Sequence, residues 1–229
     1  MPIIVARDGI NEAGQKIAQD SSGNVYAVYS DGASIYLKTS VDSWAAETVL
    51  IGEAVGSIIT GGDGKQCNNP CIIIVDNKLH LLLKMDSTPP GVGLYHTVCV
   101  NLSLYNQTSS WKMPDQTTNG FGAIQLGNRT TTEMSMASDS TGKIYTTFKS
   151  ADSPVIVNEV YIFKWDGSDW GGLLLYSTTP VIGGTSVVVD ENDFIHVAFG
   201  VSSNVQYAKS TAASTLTFPE DVTIITIVA

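Results

Sequence analysis

Between two tryptophans the chain reads Trp165-Asp166-Gly167-Ser168-Asp169-Trp170, so two indole rings enclose two carboxylates. Indole faces pack against the apolar faces of sugar rings, and carboxylates accept hydrogen bonds from sugar hydroxyls. Trp165, Asp166, Asp169 and Trp170 are therefore the candidate ligand-binding group. The same residues also suit a tight turn, in which Asp and Gly make the bend and Trp packs against a sheet. Binding and turn-building compete for one stretch.

The other residues that could do chemistry are sparse. Three histidines, His80, His96 and His196, fall in strand-like segments, and His80 and His196 stand where related segments carry Tyr26 and Tyr145. Such a place favours packing and hydrogen bonding over catalysis. Cys67 and Cys71 enclose Asn68, Asn69 and Pro70, and Cys99 lies between two valines. Unlinked thiols are expected for the pair, with a local disulfide or a metal site as alternatives, and Cys99 reads as a small buried apolar residue. Gly61-Gly62-Asp63-Gly64-Lys65 lacks the spacing of a phosphate-binding loop, and no nucleophile elbow or paired-histidine metal motif occurs. No catalytic residue, metal or cofactor is assigned from these patterns. Asn101-Leu102-Ser103, Asn106-Gln107-Thr108 and Asn128-Arg129-Thr130 match the glycosylation acceptor pattern, which carries meaning only in an exported chain.

These residues sit in a module that occurs four times: KIAQDSSGNVYAVYSDGASIYLKTS, CIIIVDNKLHLLLK, MSMASDSTGKIYTTFKS and SVVVDENDFIHVAFGVSSNVQYAKS. Each begins with an apolar strand ending in Asp, followed by a tight turn and a strand bearing Tyr or His. Alignment on the Asp sets Asp20, Asp76, Asp139 and Asp190 in register, with Tyr26, His80, Tyr145 and His196 behind them. Third strands carry Tyr36, Tyr95, Tyr161 and Tyr207. Fourth strands follow Trp44, Trp111 and Trp170, with Phe218 in the last copy. Four short strands cannot bury their faces alone, so the repeat predicts sheets packed side by side: an all-β fold, a β-propeller of four four-stranded blades. First strands such as CIIIV and SVVV read as buried on both faces.

The repeat runs nearly end to end, so one domain, 1–229, is expected, with blades over 16–51, 71–115, 134–177 and 185–229. Residues 2–7 form an extra strand that either closes the ring or pairs with another chain. Because the C-terminal DVTIITIVA also reads as an outer strand, one terminal strand is surplus, and homo-oligomer formation through terminal strands is one way to cover it. Unequal loops around 51–70, 86–92 and 113–133 are where the copies differ and where contacts are expected.

In 229 residues, 43% are hydrophobic and 15% charged, ample for a core. Against 12 Lys and Arg stand 22 Asp and Glu, a net charge of -10. That sign disfavours nucleic acid and anionic membrane surfaces as partners. Apolar runs are strand-length, far below the roughly 20 residues of a membrane span, so no membrane insertion is expected. The first residues show no basic segment followed by a long apolar run, the mark of a secretory signal.

Ser40-Val41-Asp42-Ser43-Trp44 and Asp166-Gly167-Ser168-Asp169-Trp170 resemble shortened forms of the Asp-box, Ser-x-Asp-x-Gly-x-x-Trp, of sialidase-like propellers. The resemblance implies a propeller built on Asp-anchored hairpins. It does not extend to catalysis, because sialidases hold a substrate carboxylate with three arginines and this chain has only Arg7 and Arg129. The expectation is therefore a non-enzymatic binding or structural propeller, displayed on a virion or particle surface as a decoration, fibre or tail-associated protein, or else cytoplasmic. Its partners would be other virion or surface proteins, or glycans. A soluble carbohydrate-binding lectin is the alternative, and glycoside hydrolysis the third reading.

Overall fold

Alternating apolar residues, broken by Asp, Gly and Asn turns, become seventeen short strands in the described residues of a computed structural model. Those residues are 16–53, 56–59, 66–87, 91–120, 122–124, 130–151, 158–178, 182–202, 204–219 and 223–225. The expected closing strand at 2–7 and parts of the unequal loops lie outside them.

Each copy of the module forms one antiparallel meander. The first sheet holds β1 (Ile17–Gln19), β2 (Val25–Ser30), β3 (Ser34–Thr39) and β4 (Thr48–Gly52). The second holds β5 (Cys67–Val75), β6 (Lys78–Ser87), β7 (Gly91–Cys99) and an outer edge split between β8 (Trp111–Lys112) and β9 (Gly122–Ile124). The third holds β10 (Thr130–Ser138), β11 (Ile144–Ala151), β12 (Asn158–Trp165) and β13 (Trp170–Thr178). The fourth holds β14 (Ile182–Val189), β15 (Ile195–Val201), β16 (Asn204–Lys209) and β17 (Thr223–Ile225). The fold class is all-β, a β-propeller of four blades, as the repeat predicts.

The chain divides into two compact units, Met1–Asn128 and Arg129–Ala229, with two sheets in each. In the first unit, Tyr26, Val28, Ile35 and Leu37 of one sheet pack with Ile72, Leu79, Leu81 and Leu83 of the other. In the second, Tyr145, Val160 and Ile162 pack with Val187, Ile195, Val197 and Phe199. Each such fully buried aliphatic side chain contributes about 1.5–3 kcal/mol, so facing sheets are what keep these short strands in place.

Two local expectations are corrected. The first strand is buried on most of its length in β5, but β14 alternates, with Val187 covered and Val188 58% exposed. The second correction concerns the Asp register. Asp20, Asp139 and Asp190 stand before their turns, six residues ahead of the aromatic, whereas Asp76 is inside a two-residue turn with Asn77. Both of those residues take positive φ, +50° and +56°, as a primed hairpin turn requires. The second copy thus closes its hairpin without a carboxylate anchor.

Candidate functional site

The repeated Asp makes the first hairpin of the other three copies. Asp20 Oδ1 accepts the Ser22 and Asn24 N–H groups, Asp139 Oδ1 accepts those of Thr141 and Lys143, and Asp190 Oδ1 accepts those of Asn192 and Phe194. The second carboxylate oxygen takes the side chain on the next strand: Tyr26 OH at 3.3 Å, Tyr145 OH at 2.8 Å and His196 Nε2 at 2.9 Å. An ionised carboxylate suits this role because it accepts from several donors at once. His80 does not share it: its Nδ1 meets His96 Nε2 at 3.0 Å instead.

Only in the fourth copy does the bond continue. His196 Nδ1 lies 2.5 Å from the Tyr207 hydroxyl, so carboxylate, imidazole and phenol form a chain, Asp190–His196–Tyr207. Register explains why. Tyr36, Tyr95 and Tyr161 pair with Tyr29, Leu83 and Phe148, three places beyond the aromatic of their own copies, and so fall on the opposite sheet face. Tyr207 pairs with Ala198, two places beyond His196, and falls on the same face. On that face His196 and Tyr207 are half-buried, and Val188, paired with His196, is exposed.

Charge on the chain is arranged as well. The bond from His196 and the Phe194 N–H hold the Asp190 carboxyl well below the usual carboxylate range. Lys209 Nζ stands 3.5 Å from Asp190 Oδ2 and 4.4 Å above the Phe194 ring. An ionised Asp190 accepts from Nε2–H, which leaves Nδ1 to accept the Tyr207 proton. The arrangement can withdraw a proton through the phenol and return it. Sequence alignment missed it by treating Tyr207 as the equivalent of Tyr36, Tyr95 and Tyr161. The spacing to Ser210 held the signal: Ser40 Oγ and Ser210 Oγ both accept the first N–H of the second strand, from Val25 and Ile195, yet Tyr36 is four residues before its serine and Tyr207 three.

The four residues expected to bind a ligand do come together, at the β12–β13 hairpin. Asp166 accepts the N–H groups of Ser168 and Asp169 and the Ser168 hydroxyl, bonds that bring its carboxyl down to about 2. Asp169 accepts the Trp170 N–H. Trp165 is buried, and its ring meets Trp170 at 5.7 Å between centroids and a 45° tilt. All four thus serve the turn and the sheet, and Asp166 also lines a pocket with Lys164, Gly171, Thr215 and Leu216. Ser40–Trp44 follows a different path, a short 3-10 turn over Ser40–Asp42 with left-handed Ser43 and Trp44.

Cys67, Cys71 and Cys99 are buried and form no disulfide. Among the described residues, no group of three or more His, Cys, Asp or Glu is placed to hold a metal ion. Arg7 and Arg129 lie outside the described residues.

No family model and no curated protein matches the chain. Solved structures do. An α-L-arabinofuranosidase from Lactobacillus brevis aligns with a TM-score of 0.64 at 13% identity, over 92% of this chain and 72% of its own. A polysaccharide lyase of family PL25, an ulvan lyase bound to a GlcA(1-4)Rha3S unit, aligns with a TM-score of 0.62 at 12% identity, over 90% of this chain and 54% of its own. An endo-arabinase from Bacteroides thetaiotaomicron aligns with a TM-score of 0.56 at 9% identity, over 93% and 81%. The likeness is one of fold. It overturns two expectations, that the propeller is non-enzymatic and that it belongs to a virion or particle surface, because the proteins sharing its fold over nine-tenths of the chain cleave glycans. Nor are these three sialidases. Composition misled here: few charges, many turns and a net negative sum describe a propeller surface irrespective of what it does.

Proposed function

We propose that the protein is a carbohydrate-active enzyme that cleaves a polysaccharide, with Asp190, His196 and Tyr207 as its acid–base apparatus. The observation that carries this is the 2.5 Å contact between the Tyr207 hydroxyl and His196 Nδ1, with Asp190 fixing the other ring nitrogen. Support for the substrate class comes from the glycosidase and lyase folds to which the chain is similar.

Eliminative cleavage next to a uronic acid is the reaction this chain of groups fits best. His196 accepts the Tyr207 proton, and the phenolate removes the proton on the sugar carbon beside the carboxyl group. The electron pair of that C–H bond forms a C4–C5 double bond, the C4–O4 bond breaks, and the departing oxygen takes a proton back from the same pair. No water is consumed. Lys209, beside the pair, supplies positive charge for the substrate carboxylate. Asp190 stays ionised and stabilises the imidazolium that forms in between.

The arabinofuranosidase and arabinase folds favour hydrolysis as a second reading. Hydrolysis uses two carboxyl groups facing one bond. Asp20, Asp139 and Asp166 are each engaged with the N–H groups of their own turns, which makes them poor candidates for that work.

The test is incubation with a panel of uronate-containing and neutral polysaccharides, following ultraviolet absorbance of the unsaturated product together with new reducing ends. Both signals rise together in elimination. Reducing ends without absorbance would mean hydrolysis, and neither signal from a folded protein across the panel would overturn the proposal.

A further inference from the structure

The two units offer an internal comparison. In the second unit, the end of the sheets that carries the Asp-anchored turns is closed across the gap between neighbouring sheets. Ser214, from the loop after β16, donates its hydroxyl to Asp139 Oδ2 at 2.7 Å, beside the Tyr145 hydroxyl on the same oxygen. Asp193, from the turn before β15, accepts both the backbone N–H and the hydroxyl of Ser140. The carboxylate of the third sheet is thus met by a hydroxyl from the fourth.

At the corresponding place in the first unit there is a pocket of about 340 Å3. Asp20 takes the place of Asp139, Asn77 that of Asp193, and the loop Asn101-Leu102-Ser103 that of the Ser214 loop. Two differences leave the space open. The two-residue Asp76-Asn77 turn is shorter than the turn that carries Asp193. The Asn101 loop is folded on itself, with Asn101 Oδ1 accepting both the N–H and the hydroxyl of Ser103. Among the described residues, no side chain from the second sheet donates to Asp20. Its Oδ2 holds only Asn24 Nδ2, within its own turn, and the Tyr26 hydroxyl at 3.3 Å, against 2.8 Å for Tyr145 on Asp139.

We infer that this pocket is an accessory binding site for a small neutral sugar, whose hydroxyl donates to Asp20 where Ser214 donates to Asp139. The site fits that class in three ways. Asp20 is kept below its ordinary range by the side-chain and backbone bonds from Asn24 and the Ser22 N–H, which outweigh burial, so it is an acceptor at neutral pH. Asn77, Asn101 and Ser22 surround it with amide and hydroxyl groups suited to neighbouring hydroxyls. Val41, 45% exposed, and Leu102 provide an apolar wall for the C–H face of a ring. The volume lies in the lower part of the ~300–1,000 Å3 range of small-molecule pockets, enough for one sugar unit. Asp190, His196 and Tyr207 do not line the pocket, so its occupancy is tested without cleavage.

The test is saturation-transfer NMR on the full chain with D-galactose, L-arabinose and, as a non-ring control, glycerol. Transfer to at least one of the two sugars and not to glycerol is expected. In Val41→Trp, where the indole overhangs the opening and leaves the turn intact, that transfer is expected to vanish. In Asp20→Asn, which keeps an oxygen for the Ser22 and Asn24 N–H groups, affinity is expected to fall about tenfold, the effect of losing one charged acceptor. No transfer to either sugar from protein that melts cooperatively, or transfer undiminished in Val41→Trp, would overturn the inference. If Asp20→Asn proves unstable, Val41→Trp alone decides.

Discussion

Tyr207 stands diagonally across from His196 on one sheet face, its hydroxyl 2.5 Å from Nδ1, and no other third-strand tyrosine shares a face with the aromatic of its own copy. This relationship separates a working pair from a packing pair. With a substrate found as above, Tyr207→Phe is expected to lower kcat by about 10²–10⁴ with little change in KM, the usual cost of losing a general acid–base group. His196→Gln, which removes the proton acceptor for Tyr207, is expected to lower kcat by a similar factor. A role confined to packing would instead lower the melting temperature and leave kcat of the folded fraction unchanged.

The His80–His96 pair makes stability depend on mild acid. Burial, and then Lys78, push His80 down to about 4 from 6.5, and burial, then His80, lowers His96 as well. Between those values the unfolded chain binds the proton and the folded chain does not, so stability rises with pH. The contribution is fully present above about 6.5 and is lost as pH falls toward 4, on the order of 3 kcal/mol for His80. Melting temperature followed from pH 7 to 4 is expected to drop, and His80→Phe combined with His96→Phe is expected to flatten that slope. A flat profile in the parent chain would contradict the buried neutral pair.

Asp139 is the most heavily used of the hairpin carboxylates and is only 6% exposed. Burial alone would raise its pKa, but bonds from Thr141, Ser214, Tyr145 and the Lys143 N–H outweigh this and bring it to about 2. Asp139→Ala leaves the buried Tyr145 hydroxyl and several turn donors without an acceptor, at a cost of roughly 2–4 kcal/mol. Ser214→Ala removes one bond and is expected to cost about 1 kcal/mol. Urea unfolding of the two variants checks the order; equal effects would mean that the turn donors find water without penalty. Because the folded pKa is depressed, this stabilisation is present above about 4 and lost as pH falls through about 2.

Gly52 ends β4 at φ +132°, where a Cβ would fall 2.5 Å from both Ala33 O and Ser34 Cα. The backbone of Ala33 and Ser34 cannot yield cheaply. Gly52→Ala is expected to cost more than 2 kcal/mol by denaturant unfolding, whereas Gly167→Ala, at a positive φ but with open space around it, is expected to cost about 1 kcal/mol.

The repeat made the blades legible because a carboxylate, a turn and an aromatic recur with one spacing, and that spacing is itself a hydrogen-bonded device. What the alignment obscured came from single-residue differences. Asp76 aligns with Asp20 by letter, yet two residues fewer before His80 put it inside the turn, which frees His80 for His96. Tyr207 aligns with Tyr36 by letter, yet one residue fewer before the serine moves it across the sheet. In strands a change of one place reverses the face, so sequence identity at a column says little about which side a group serves. The sugar-binding expectation for Trp165–Trp170 met the same difficulty from the other side: the letters suit a ligand, and most of their bonds go to the hairpin.

The meander has a consequence for how the chain acquires its structure. Among the described residues, each strand pairs chiefly with its neighbour in sequence, so every sheet is built from one continuous stretch of chain. Made from its N-terminus, such a chain can complete one sheet while the next is still being synthesised, and the aggregation-prone interval of unpaired strand edges is limited to about one module at a time.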